Sequence, residues 1–339
     1  MRELILHLPG LFGAREGAAA MRADLHLPAL DLLRARADRI AVPDIEFESA
    51  LLRAFGLTED EEHGVPLAPL ALLGETGERH AGFWLRADPV HIQAGIDKAV
   101  MLGSAMLALS QHEAVENCAQ IAAQMNEEGL APRALAPLRW YQRWPHVPRV
   151  RFSPLPETLG GDLYPHMPQG EEGRFWRGLL NHVQMVLHAS ETNAAHRAVH
   201  KPEISGLWFW GGGELPPVRH SGDYAAVWSD DPYVRGLALN AEVQVAMLPA
   251  HADAWLEAAG AGRHLATLDA LRAPLRLADV EGWRAAVMQV HEQWIEPLVR
   301  ALRAGELDVL KICPGEGAEY HISRRVLRWR WWRRSALSV

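Results

Sequence analysis

Seventeen histidines and two cysteines are the residues from which a metal or nucleophilic site would most readily be built. Zinc hydrolases set two histidines one helical turn apart with an acid between them, so that both imidazoles reach one ion. His196 and His200 have that spacing, but Pro202 follows closely, no third ligand is evident, and HExxH is absent. A nucleophilic serine would sit in GxSxG, which the chain lacks. Cys313 stands before Pro314-Gly315-Glu316-Gly317, at the end of what reads as a strand. Strand ends open into active sites in α/β sheets, so a nucleophile could sit there; a buried structural thiol is the competing reading. Gly211 to Gly213 follow the apolar run LWFW. A phosphate loop would need a lysine and a hydroxyl after its glycines, whereas here Glu214, Leu215 and Pro216 follow. A tight turn after a buried strand is expected instead. From Arg324 to Arg334 the chain carries six arginines, three tryptophans and no acid. That mixture can bind nucleic acid, but the alternation of Val326, Arg328 and Arg330 with Leu327, Trp329 and Trp331 predicts an edge strand of period two.

Elements must position any such site. LILHL (4–8) reads as a buried strand, LPALDLLRARADR as a helix, the stretch near Ile40 and Val42 as a strand, and FESALLRAF as a helix stopping at Gly56. The alternation points to a parallel sheet with helices on its faces. Residues 82–92 read as a strand leaving this core. Ser110 and Glu113 have capping-box spacing ahead of a helix over 110–129. Prolines over 132–168 predict irregular loops, and 174–189 predicts a second helix. ISGLWFW, YAAVWS and LDVLKIC read as strands. Trp283, Val287, Val290, Trp294, Leu298 and Leu302 form one helical stripe that Pro297 should kink or split. The boundaries so predicted are a core of 1–82 with 166–339 and an insertion of 83–165.

The bulk numbers bound the class. At 339 residues, with 49% hydrophobic and 22% charged residues and a net charge of −8, the chain reads as a globular α/β protein without long-range attraction for nucleic acid or acidic lipid. No apolar run approaches the roughly 20 residues of a membrane span. Two cysteines outside any CxxC pair fit a reducing cytoplasm, which is the expected location.

The order of these segments resembles the cofactor-independent phosphoglycerate mutases of archaeal type, in the alkaline phosphatase superfamily. LPALDLLRARADR resembles the family's TPNLDxLA segment, and SALLRAFGLTED the stretch ending in LLGYDP. NHVQMVLHASETNAAHR resembles a helix followed by HPVNxxR, with His188, Asn193 and Arg197 in the matching places. ISGLWFWGGGELP is similar to ANxLxLRGxGxxP, and DDPYVRGLALNAEVQV carries the following RG as Arg235-Gly236. The WGGG stretch and the WWRR tail resemble the RpfE-type bacterial regulatory proteins more closely still.

The resemblance implies an alkaline-phosphatase-like, doubly wound, mostly parallel α/β sheet with helices on both faces and a small inserted α+β cap. It also implies two divalent metals, such as manganese or zinc, and a serine nucleophile. The matching positions here depart from that pattern. The first strand ends in Pro9-Gly10 and the last in Cys313-Pro314-Gly315. Asp269 matches one metal-binding Asp, but the partner His falls at Ala273; Phe47 stands at the serine position, with Ser49 two residues on. Proline, glycine and alanine offer a metal no side-chain ligand. The expectation is a degenerate enzyme without cofactor, with Asp269 a vestigial metal position. It would bind an anionic metabolite through Asn193, Arg197, Arg235 and His188, or a protein partner, in a regulatory role. The alternatives are an active two-metal mutase or phosphohydrolase, and a nucleic-acid regulator using the tail. Oligomeric state is open.

Overall fold

The computed structural model describes residues 1–14, 17–95, 98–220 and 223–330. In chain order the strands are β1 (Arg2–His7), β2 (Asp38–Ala41), β3 (Phe83–Ala94), β4 (Ala99–Gly103), β5 (Arg133–Ala136), β6 (Arg139–Trp144), β7 (Gly206–Glu214), β8 (Tyr224–Trp228), β9 (Val245–Ala246), β10 (Gly262–Thr267), β11 (Val309–Cys313) and β12 (Ala318–Ser323). Two compact units contain them: Met1–Gly56 with Val218–Val339, and Leu57–Pro217.

The first unit holds a seven-stranded sheet in the order β2-β12-β11-β1-β10-β8-β9. Strands β11, β1, β10, β8 and β9 are parallel, while β12 runs antiparallel to β11 and β2 antiparallel to β12. With helices on both faces, this is a doubly wound α/β fold of the alkaline-phosphatase-like kind. Leu4, Leu6, Ala266, Leu310 and Ile312 alternate onto one face, as the period of two requires, and join Trp283, Val287, Val290, Trp294, Leu298 and Leu302 in one core. That helical stripe is the one the spacing predicts. Its helix is split as Pro297 requires: an α segment Val280–Val290, a π turn His291–Ile295 and a second α segment Glu296–Ala304. The π turn lies just ahead of the residue that lacks a backbone donor.

The second unit holds an antiparallel sheet with the path β4-β3-β6-β5 and with β7 pairing antiparallel to β3. Its helix Gln111–Gln124 begins with the expected capping box, Ser110 accepting from Glu113 N–H while the Glu113 carboxylate accepts from Ser110 N–H.

Several expectations are corrected. The insertion is wider than 83–165, because β7 belongs with β3 and not with the parallel core. The proline-rich stretch contains the β5–β6 hairpin, since Trp140, Tyr141 and Trp144 bury against the unit's core despite the flanking prolines. The helix Leu67–Thr76 is buried almost all round and so shows no amphipathic period to read. The strand read near Ile40 and Val42 is β2, an exposed strand at the edge of the sheet. The segment Arg324–Trp329 is helical, not an edge strand: Ser323 caps it by accepting from Val326 N–H, and only Leu327 is fully buried. The expectations for Trp331 to Arg334 lie outside the described residues.

The three glycines are not a turn. They are the last part of β7, and close packing explains their type. Gly211 adopts φ +61°, beside a register shift in the β3–β7 pairing. A Cβ on Gly212 would lie 2.7 Å from Leu85 Cδ2 and 2.9 Å from the Phe83 ring, and one on Gly213 would lie 2.7 Å from Pro66 Cβ.

Candidate functional site

Ligands of open α/β sheets bind beyond the carboxyl ends of the parallel strands. In the first unit the register sets His7 beside Thr267 and Cys313. Ser229 and Asp231 follow β8, and Asp269 follows β10. Most of the polar side chains here are bonded to one another. Ser229 and Thr267 share a 2.5 Å hydroxyl–hydroxyl bond, and Ser229 Oγ accepts from Asp231 N–H. Asp231 accepts from Tyr233 N–H and caps the helix Pro232–Asn240. Arg272 donates to Glu48 at 2.5 Å and lies 4.5 Å above the Phe47 ring. On the antiparallel β12, His321 and Glu319 are 2.8 Å apart.

Burial sets the charge states. It lowers the His7 pKa to about 4, against the opposing pull of Glu319, so the imidazole that stacks edge-on to Phe47 is neutral. Burial also pushes the Cys313 thiol up, and Glu319 adds to the shift, which disfavours the thiolate that a nucleophile needs. The Asp231 carboxyl is raised by burial and then by Asp269 and Glu48. Asp269 itself is exposed, with its carbonyl accepting from Arg272 N–H.

A two-metal centre needs several carboxylate or imidazole ligands converging on points a few ångströms apart. Among the described residues, no group of three or more His, Cys, Asp or Glu is placed to hold a metal ion. The described residues at these strand ends therefore form no such converging ligand group.

The residues singled out for anion binding fall in both units. His188 ends the helix Gly173–His188, and Asn193 and Arg197 lie on Glu191–Ala198 in the second unit; Arg235 lies on Pro232–Asn240 in the first. The structure brings His188 and Arg197 together, the guanidinium donating to the His188 carbonyl at 3.3 Å and to the Glu203 carboxylate at 2.5 Å. Asn193 is fully buried. Its amide donates to the Leu187 and Ile204 carbonyls and its oxygen accepts from Ile204 N–H, all at 2.8–2.9 Å. Arg235 donates to Met247 Sδ at 2.9 Å.

Two clusters escape the sequence reading. One is the strand-end set of Glu48, Asp231 and Arg272, which only the register assembles. The other lies in the second unit and accounts for the tryptophans ahead of the glycines. Asp88 takes both Nε and Nη2 of Arg86 on Oδ1, at 3.0 and 2.7 Å, and Trp210 Nε1 on Oδ2 at 2.8 Å. Arg86 lies over the Tyr141 and Trp210 rings at 5.2 and 5.5 Å, and Glu75 accepts from Tyr141 and Arg139. This buried pair joins β3, β6 and β7 and fixes their register rather than offering a ligand site. An apolar groove of about 470 Å³ in the same unit is lined by Phe175, Gly178 and Leu179, with Arg174, Glu128 and His182 among its walls.

Comparison with known proteins finds no matching family model and no matching curated protein. Among solved structures, the chain is similar to the PH0037 protein from Pyrococcus horikoshii, with a TM-score of 0.55 and 14% identity over 95% of this chain and 87% of that one. It also matches a cofactor-independent phosphoglycerate mutase from Thermoplasma acidophilum over 95% of this chain and 90% of that one, at 13% identity and a TM-score of 0.41. The second superposition is too loose to argue from; the first shows a shared fold and nothing finer.

Proposed function

We propose that this chain is a catalytically degenerate, phosphoglycerate-mutase-like protein that works by binding, without a metal centre, and in a regulatory role. One observation carries the reading: polar side chains at the strand ends, where phosphoryl chemistry would need converging free ligands, are engaged with each other. Ser229 pairs with Thr267, Arg272 with Glu48 and His321 with Glu319. The WGGG stretch and the arginine–tryptophan tail support kinship with RpfE-type regulatory proteins. Two buried free thiols, Cys118 and Cys313, suit the cytoplasm.

The ligand of this reading is a phosphate- or carboxylate-bearing metabolite. Arg197 is its best candidate contact, because Glu203 already shows the guanidinium engaging a carboxylate. His188 is a secondary candidate in the same unit, and Arg235 is a separate candidate within the first unit. Asn193, with its amide engaged on backbone, supports the corner that carries Arg197. Calorimetry with inorganic phosphate and phosphoglycerate tests this. Freeing the fork by Glu203→Gln should tighten binding, and Arg197→Ala should weaken it at least about tenfold, the order of one charge-assisted bond. Absence of binding, or binding indifferent to both changes, contradicts the anion reading.

A second reading, an active metal-dependent mutase or phosphohydrolase, draws on the mutual repulsion of Asp231, Asp269 and Glu48, which a cation would relieve.

A further inference from the structure

Gly178 sits inside the 16-residue helix Gly173–His188 of the second unit. Glycine is a poor choice for a helix interior, because it loses more conformational freedom there than any other residue. A special backbone angle or close packing normally explains such a position. Gly178 has neither within the chain. Its φ is not in the left-handed region, and a Cβ on it would meet nothing within 4 Å beyond the helix itself. Gly212 and Gly213, by contrast, are fixed by their neighbours. Gly178 is exposed, so the notch it leaves opens outward. The notch offers a close approach to a body outside the chain.

The helix carries two seams of one spacing. Trp176, Leu179, Val183 and Val186 turn inward at intervals of three, four and three. Phe175, Gly178, His182 and Met185 repeat those intervals one residue earlier. All four are exposed, Phe175 by 46% and Met185 by 71%. That is the spacing with which one helix packs along another. The groove of about 470 Å³ lies on this outer seam, with Leu179 in its lining. Arg174 stands on one wall and has no ion-pair partner among the described residues. On the other side His182 Nδ1 lies 3.0 Å from Glu128 Oε1. The groove thus carries a guanidinium and a carboxylate. An antiparallel crossing of two such helices at Gly178 brings the two together, since residue 174 of one copy then faces residue 182 of the other. The face is complementary to itself.

We propose that this outer seam is a contact between two copies of the chain. The helices cross antiparallel at Gly178 about a two-fold axis, Phe175 of each copy enters the groove of the other, and Arg174 of each meets Glu128 of the other. One helix face, about 24 Å long, keeps the buried area below about 1,200 Å² in total, the range of weak and reversible contacts. Sedimentation velocity on the full chain, from about 5 to 500 µM, tests it. The expected result is a monomer–dimer equilibrium with a dissociation constant on the order of 10–100 µM. Gly178→Gln fills the notch and should weaken the dimer at least about tenfold. Thermal stability should hold or rise in that variant, because glutamine is the better helix former. Arg174→Glu and Glu128→Arg should each weaken the dimer at least about fivefold, as two symmetric charge contacts require, and together in one chain should restore it to within about twofold. A monomer throughout the range, a dimer indifferent to Gly178→Gln, or failure of the charge exchange to recover overturns the proposal. So does a monomeric chain that binds the apolar dye anilinonaphthalene sulfonate and loses it in Gly178→Gln, which would assign the groove to a small ligand.

Discussion

Asn193 shows how a motif can keep its residues and change its work. Its spacing to His188 and Arg197 is legible in the sequence; that its amide would be consumed by Leu187 and Ile204 is not, because the loop that brings Ile204 back has no period to read. Removing a buried residue that satisfies three backbone groups leaves them desolvated and unpaired. Asn193→Ala should therefore cost about 2–4 kcal/mol in urea unfolding. Unchanged stability would mean that the amide is free for a ligand. His7, by contrast, was visible only as part of a buried strand. Its neutrality comes from burial beside Phe47, which a linear sequence does not encode.

At the scale of elements, amphipathic segments were readable and the others were not. The capped helix Gln111–Gln124 and the stripe from Trp283 to Leu302 follow from spacing alone. The tail misled because Leu327 and Trp329 alternate with Arg328 and Arg330 as the two faces of a strand would, whereas in the helix the neighbours Val326 and Leu327 both turn inward and Trp329 does not. The glycines of β7 misled because a Gly run normally marks a turn, whereas here it marks a close approach of Leu85, Phe83 and Pro66. Gly212→Ala adds one methyl to that contact and should destabilise the protein by about 1–3 kcal/mol, the usual range for overpacking. A neutral effect on thermal melting would show that β3 and β7 can separate at no cost.

For the whole molecule, histidine burial fixes a direction of pH dependence. His7, His264 and His291 all have lowered pKa values, first through burial; His264 also accepts from Trp228 Nε1, and His291 accepts from Ala29 N–H. The unfolded chain protonates near pH 6.5, before the folded one. These groups thus favour the native state above that pH, and the advantage is lost as pH falls through the folded values, about 4 for His7. Melting temperature should fall from pH 7 towards pH 4.5, and His7→Asn should flatten part of that slope. A melting temperature rising on acidification would contradict the assignment of neutral imidazoles.

The parallel core and its flanking helices were legible because alternation and helical stripes are local patterns. The extent of the second unit was not, because β7 is as apolar as a core strand and only pairing with β3 assigns it. The central claim, that the scaffold binds without metal-dependent phosphoryl chemistry, is tested most directly by elemental analysis of the purified protein for manganese, zinc, magnesium and iron. A thermal-shift titration with manganese and a phosphoglycerate mutase assay complete that measurement. The account predicts no stoichiometric metal, no shift and no turnover. Two tightly held metals per chain, with turnover lost in Asp269→Ala, would contradict it.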